Sequence, residues 1–170
     1  MFRRNMLINR YRRDFKEIFE LNKRRIRECI GPNPRIEHFG STSVPGLPGK
    51  GVIDIIIGFK DKAQLSAAAR KLSSIGYFIS KRGQRARGSR IFLSSRRGES
   101  GIGDVHLHLV PEKSEDFKMA LMFRNRLRRD KALREYYIRI KREAARAAKG
   151  RREFYTELKS EFVEKVSKLS

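Results

Sequence analysis

Glu37-His38-Phe39-Gly40-Ser41-Thr42-Ser43-Val44-Pro45-Gly46-Leu47-Pro48-Gly49-Lys50-Gly51-Val52-Ile53-Asp54-Ile55 is the stretch on which the fold turns. A short strand over 35–39 runs into Gly-Ser, and a Gly- and Pro-rich loop follows from Gly40 to Gly51. Val52-Ile53-Asp54-Ile55-Ile56-Ile57 then reads as a buried central strand, because β-branched residues pack well on a pleated surface covered on both sides. Small residues at Gly40 and Ser41 let backbone N–H groups approach an anion closely, and the hydroxyls of Ser41, Thr42 and Ser43 can add hydrogen bonds. Lys50 supplies a cation. Asp54 interrupts an apolar run, and an unpaired carboxylate is costly there; a bound metal ion or a basic neighbour would offset that cost.

Upstream, Tyr11, Phe15, Ile18, Leu21 or Asn22, and Ile26 recur at helical spacing and predict a helix from about Arg10 to Glu28, stopped by Gly31-Pro32-Asn33-Pro34. Downstream, Asp61 can cap a helix carrying Leu65, Ala68, Ala69 and Leu72 that ends at Gly76. Strands are expected over 77–80, 91–94 and 105–110, with a basic loop over 81–88 between the first two. From Ser114 onward the chain reads as three helices. The expected layout is an α/β (α+β) fold: one mixed β-sheet packed with helices, and a helical C-terminal third over about 114–168. A chain of 170 residues is expected to form a single domain over 1–170.

On the strand approaching Val110, Asp104, His106 and His108 alternate with Val105, Leu107 and Leu109, so the three polar residues share one face. Such a face lines a polar site if the strand neighbours Asp54; otherwise it is a solvated face. Asp104 is then a candidate metal ligand, and His106 and His108 are candidates for metal, phosphate or acid–base roles. Glu37 and His38 point to opposite sides of their strand, so at most one of them reaches the same pocket; a structural role for His38, holding the Gly-Ser loop in place, is equally open.

The quoted stretch resembles the signature of the GrpB family, approximately His-x-Gly-Ser-Thr-Ala-Val-Pro-Gly-Leu-x-x-Lys-Pro-x-x-Asp. His38, Gly40, Ser41, Thr42, Val44, Pro45, Gly46, Leu47, Lys50 and Asp54 match it in register. Val105-His106-Leu107-His108-Leu109-Val110 resembles the family's His-containing strand, and Phe123-Arg124-Asn125-Arg126-Leu127-Arg128 resembles its Phe-Arg-Asp-x-Leu-Arg helix. The resemblance implies a nucleotidyltransferase-like fold, in which a Gly-Ser turn holds nucleotide phosphates and an Asp-x-Asp pair binds a divalent metal. By that likeness Gly40, Ser41, Thr42, Lys50, Arg90 and Arg124 are expected to bind nucleotide or phosphate. Ser41, Asp54, His106 and His108 are expected at the catalytic centre, with Asp54 and Asp104 on Mg²⁺ or Mn²⁺. Arg90 rests on topology alone. The chain departs from the pattern at Ile56, where the second acid of the pair would stand, at Gly51 in place of Pro, and at Asn125 in place of Asp.

Forty-one Lys+Arg against 19 Asp+Glu leave a net charge of +22, which surrounds the molecule with positive potential and suits a polyanionic partner. A solvated basic surface is the plainer reading. No segment reaches the length of an apolar membrane span, and the apolar stretch in the first ten residues is too short for a signal peptide, so a cytoplasmic location is expected. Cys29 stands alone, which excludes a disulfide framework and a cysteine metal cluster. Its neighbours Ile26 and Ile30 make it a small buried residue rather than a nucleophile. Tyr136, Tyr137, Phe154, Tyr155 and Phe162 read as core residues rather than platforms for stacked bases.

Three functions remain open at this level. One is metal-dependent transfer of a nucleotidyl group from a nucleoside triphosphate. The second is a binding module for a nucleotide, another phosphorylated small molecule or RNA, which Ile56 favours. The third is general RNA binding, with the basic loop Lys81-Arg82-Gly83-Gln84-Arg85-Ala86-Arg87 and the helix around Arg124 to Arg129 as contact surfaces.

Overall fold

The computed structural model describes residues 10–79, 90–96, 103–149 and 152–168. The basic loop 81–87 lies outside the described residues. Helix α1 (Phe15–Ile30) is followed by strand β1 (Arg35–Phe39), the Gly-rich loop, strand β2 (Ile53–Phe59) and helix α2 (Ala63–Ser74). Strands β3 (Phe78–Ile79), β4 (Ile91–Ser94) and β5 (Val105–Pro111) come next, then helices α3 (Glu115–Arg129), α4 (Lys131–Ala148) and α5 (Arg152–Lys168). The strands form one mixed sheet in the order β1-β2-β5-β4-β3. β2 and β5 run parallel at its centre, and the other pairings are antiparallel.

Strand alternation divides the sheet into two unlike faces. Ile53, Ile55, Ile57, Val105, Leu107, Leu109 and Leu93 bury against Phe15, Phe19 and Ile26 of α1 and Leu65, Ala68, Ala69 and Leu72 of α2. The opposite face carries Asp54, Ile56, His106 and His108, with Asp54 beside His106 and Ile56 beside His108 in the β2–β5 register. Part of this second face is closed by α3, whose Phe117 and Leu121 cover Ile56 and Val110. The helical third has its own core of Phe123, Leu127, Tyr137 and Val166. Val44 and Leu47 of the Gly-rich loop plug into that core, so the loop is anchored to the helices rather than left as an open turn.

Local signals explain most boundaries. Ser114 accepts from the Phe117 amide at the start of α3, and Asp130 from the Leu133 amide at the start of α4. The N-cap position of α2 is not Asp61, as expected, but Lys62, without a side-chain cap bond; Asp61, one residue earlier, accepts from the Ala63 amide (2.9 Å). Helix α1 begins at Phe15, five residues later than its apolar stripe suggests. Of the two stripe candidates, Asn22 is buried and Leu21 is exposed. The reason is polar pairing: the Asn22 amide donates to the Ile18 carbonyl (2.7 Å), and its Oδ1 accepts from the Tyr77 hydroxyl (2.6 Å). Tyr136 also departs from expectation, being exposed, whereas Tyr137 and Tyr155 are buried.

Candidate functional site

The turn after β1 is built by Gly40, whose φ of 72° favours glycine. A Cβ at Gly40 would stand 2.5 Å from Asp54 Oδ2, so the missing side chain lets the Gly-Ser backbone close on the carboxylate. Ser41–Ser43 then form a single 3-10 turn. The Thr42 hydroxyl is directed into the fold: it donates to the Val52 carbonyl (3.0 Å) and pairs with His38 Nε2 (3.0 Å). Thr42 therefore braces the loop, and a ligand does not find its hydroxyl free. His38 lies on the α1 side of the sheet, stacked on Phe19 with ring centroids 4.7 Å apart. Burial, helped by the nearby Arg128 and Arg124 and opposed by Asp54, pushes His38 down to about 4. It is a neutral structural histidine, and Glu37 is the residue of the pair on the Asp54 side.

Glu37 is held by Arg124 (2.8 Å) and Arg35 (3.1 Å). Arg124 also donates to the His38 carbonyl (2.8 Å) and to Asn125 Oδ1 (2.9 Å), and its side chain is only 10% exposed. Arg128 grips the Ser43 carbonyl through Nε and a terminal nitrogen. These two arginines of α3 clamp the start of the loop, so Arg124 acts on the site by holding β1 and its turn rather than as an uncommitted phosphate ligand.

Asp54, His106 and His108 come together. Asp54 Oδ1 lies 3.4 Å from His106 Nδ1 and 3.7 Å from His108 Nε2. One ligand atom from each of the three falls within 4.8 Å of the others. Phe92 meets both imidazoles edge-on, and Phe39 meets His108, so the rings are fixed by packing. Burial works against the ionised Asp54 carboxylate, yet attraction to the adjacent His106 and His108 holds it below the usual carboxylate range. Burial pushes His108 down to about 4, Asp54 opposing it and Arg90 adding to it. Arg90 donates to His108 Nδ1 and lies 3.9 Å from Asp116. Asp104 is not in the cluster; it pairs with Arg96 at 3.4 Å. Ile56 is buried under α3 beside Phe117, so the place of a second acid is an apolar contact.

Lys141 of α4 is the site residue that sequence reasoning missed. It is 2% exposed, and its Nζ donates to the Pro48 carbonyl and lies 5.4 Å from the Tyr137 ring centroid. A Cβ added to Gly49 would clash with Ser41 Oγ and stand 3.3 Å from Lys141 Nζ, so the hydroxyl and the ammonium border one point of the loop. Burial, with Lys159 and Lys50 adding and Asp54 opposing, lowers Lys141 from its ordinary 10.5 to about 7. Among the described residues no carboxylate forms an ion pair with it. Lys50 itself lies over the Tyr155 ring, 4.6 Å from the centroid. A signal for Lys141 existed: it falls on the buried stripe Tyr137, Lys141, Ala144, Ala148, where a lysine is out of place.

The family described as GrpB protein matches residues 5–169. The UPF0157 protein BH1888 of Halalkalibacterium halodurans is 30% identical over 153 residues, covering 89% of this chain and 75% of that protein. The UPF0157 protein SCO7215 of Streptomyces coelicolor is 32% identical over 126 residues; the match spans 74% of this chain and 63% of the relative's length. Among solved structures, the conserved protein GrpB from Enterococcus faecalis superimposes with a TM-score of 0.72 at 24% identity, covering 94% of this chain and 98% of that one. The Cid1 poly(U) polymerase with bound MgGTP superimposes with a TM-score of 0.52 at 13% identity, covering 76% of this chain and 42% of the polymerase. The fold is therefore nucleotidyltransferase-like.

Proposed function

Since this chain belongs to the GrpB family, we propose that it binds the phosphates of a nucleotide, or of another phosphorylated small molecule, at the Gly40–Ser41 turn beside Asp54. The observation that carries the reading is Lys141: a buried ammonium without a carboxylate partner among the described residues, bordering Ser41 Oγ across Gly49. Burying a lysine without a counter-charge is costly, and an anion entering at this loop would offset that cost. The basic composition brings such anions to the surface. The Cid1 structure that shares the fold was solved with MgGTP, which supports a nucleoside triphosphate as the ligand class.

The fold implies a divalent ion held by paired carboxylates, with Mg²⁺ or Mn²⁺ the expected choices. Mg²⁺ demands oxygen ligands in near-ideal octahedral geometry. Here one carboxylate faces two imidazoles, and Ile56 closes the position of the second acid. The residues present do not fit Mg²⁺, and we derive no nucleotidyl transfer through it. A phosphate-binding role is the reading that the geometry supports best.

The test is calorimetric titration of the full chain with nucleoside triphosphates, pyrophosphate and tripolyphosphate in the presence of a chelator. Binding is expected, and Lys141→Met should weaken it by about tenfold or more, the loss expected for a hydrogen bond to a charged group. Absence of binding by every polyphosphate, or full affinity in Lys141→Met, overturns the reading. The net charge of +22 favours a second reading, single-stranded RNA as the partner. In that case affinity falls steeply with salt, by about 0.7 log units per phosphate contact for each log unit of salt, and Lys141→Met leaves it unchanged.

A further inference from the structure

The second polar feature of the site is independent of any phosphate. We infer that Asp54, His106 and His108 form a binding site for a first-row transition-metal ion of the Zn²⁺, Co²⁺ or Fe²⁺ type, selective against Mg²⁺.

Three observations carry this. The donor set is one carboxylate and two imidazoles, contributed by the two central parallel strands at adjacent register positions, with the ligand atoms within 4.8 Å of one another. Imidazole suits Zn, Cu, Fe and Ni, whereas Mg²⁺ and Ca²⁺ prefer oxygen, and two histidines with one carboxylate leave positions open for a further ligand. The second observation is an orphaned atom. His108 is 8% exposed, and its Nε2 is buried without a hydrogen-bond partner among the described residues while aimed at Asp54 Oδ1 from 3.7 Å, beyond bonding distance. A buried polar atom of that kind is unusual and costly. The third is access: the side chain of Asp54, the cluster's carboxylate, is 26% exposed, which leaves an entry path.

Arg90 is the competitor. By donating to His108 Nδ1 it places the neutral ring's proton on Nε2, the atom that a metal needs bare. Loading the ion requires the proton to sit on Nδ1 and Arg90 to turn away, with Asp116, 3.9 Å from it, as its remaining partner. Removal of Arg90 is therefore expected to tighten metal binding rather than weaken it.

The experiment uses chelator-stripped full chain without nucleotide, so its failure is distinct from failure of the phosphate reading. ZnCl₂, CoCl₂, MnCl₂ and MgCl₂ are titrated in separate calorimetric runs, and Co²⁺ is also followed by its visible d–d absorption. One equivalent of Zn²⁺ or Co²⁺ is expected to bind, with Mg²⁺ at least about 100-fold weaker. His108→Gln and His106→Gln should each lower Zn²⁺ affinity by about 100-fold or more, since loss of even an outer-shell partner costs 10–100-fold. Arg90→Met should raise it. Circular dichroism establishes that each variant is folded, and the wild-type titrations need no variant. The inference is overturned if no transition ion binds, if Mg²⁺ binds as tightly as Zn²⁺, or if folded His106→Gln and His108→Gln keep wild-type affinity.

Discussion

The two faces of one sheet are built from alternate residues of the same strands, yet they do different physical work. On one face Ile53, Ile55, Ile57, Leu107 and Leu109 are wholly buried under α1 and α2. On the other, Asp54 faces His106 and His108 between aromatic rings, and only its α3 end is an ordinary apolar contact. The difference shows why a polar site survives at the centre of the sheet. Hydrophobic burial on the first face holds β2 and β5 in register, so the second face can carry groups that cost stability. His38 is the exception that joins the two: it stacks on Phe19 on the apolar side and bonds Thr42, which holds the turn carrying Ser41 on the other.

The division breaks most visibly by truncation on the apolar face. Leu107→Ala is expected to destabilise the fold by about 2–5 kcal/mol in denaturant titration. A loss well under 1 kcal/mol would mean that the first face is not the source of the sheet's stability.

On the site side the largest expected effect is a pH dependence. Lys141 is lowered in the folded chain to about 7 from 10.5, so between those values the unfolded chain binds more protons. Stability should therefore rise as pH increases from about 7 to 10.5, by an amount on the order of a few kcal/mol, and the cost of burying the charge is fully present below pH 7. Lys141→Met should be the more stable protein at pH 6, and its stability should vary less with pH across that window. Equal slopes in thermal melts of the two proteins would show that Lys141 stays charged and solvated. Phosphate binding, which favours the charged ammonium, should weaken as pH rises through about 7.

The link between the faces is tested by Thr42→Val. It removes both the donor to the Val52 carbonyl and the partner of His38 Nε2, and should cost about 1–3 kcal/mol through unsatisfied buried groups. If polyphosphate affinity stays at the wild-type value despite that loss, Thr42 does not position the Ser41 turn. The smallest effect is expected at the rim: Asp61→Ala removes the acceptor of the first amide of α2 and should cost about 0.5–1.5 kcal/mol, with no change in polyphosphate affinity.

The sequence by itself determined the elements and the apolar face. Apolar periodicity, the Gly-Pro stop at 31–34 and the caps at Ser114 and Asp130 are local features, and the mixed sheet with a helical C-terminal third follows from them. It also pointed to Gly40, Ser41, Asp54, His106 and His108, because a carboxylate in an Ile run and histidines alternating with leucines are visible in one dimension. Tertiary structure alone decided who meets whom. The parallel β2–β5 register sets Asp54 beside His106 and leaves Asp104 to Arg96. The docking of α3 commits Arg124 to Glu37 and the His38 carbonyl, and the docking of α4 delivers Lys141 to a loop some ninety residues earlier in the chain. Side-chain charge and size are local properties, but burial and partnership depend on contacts between residues far apart in sequence, and these decide whether a lysine is a solvated cation or a buried one.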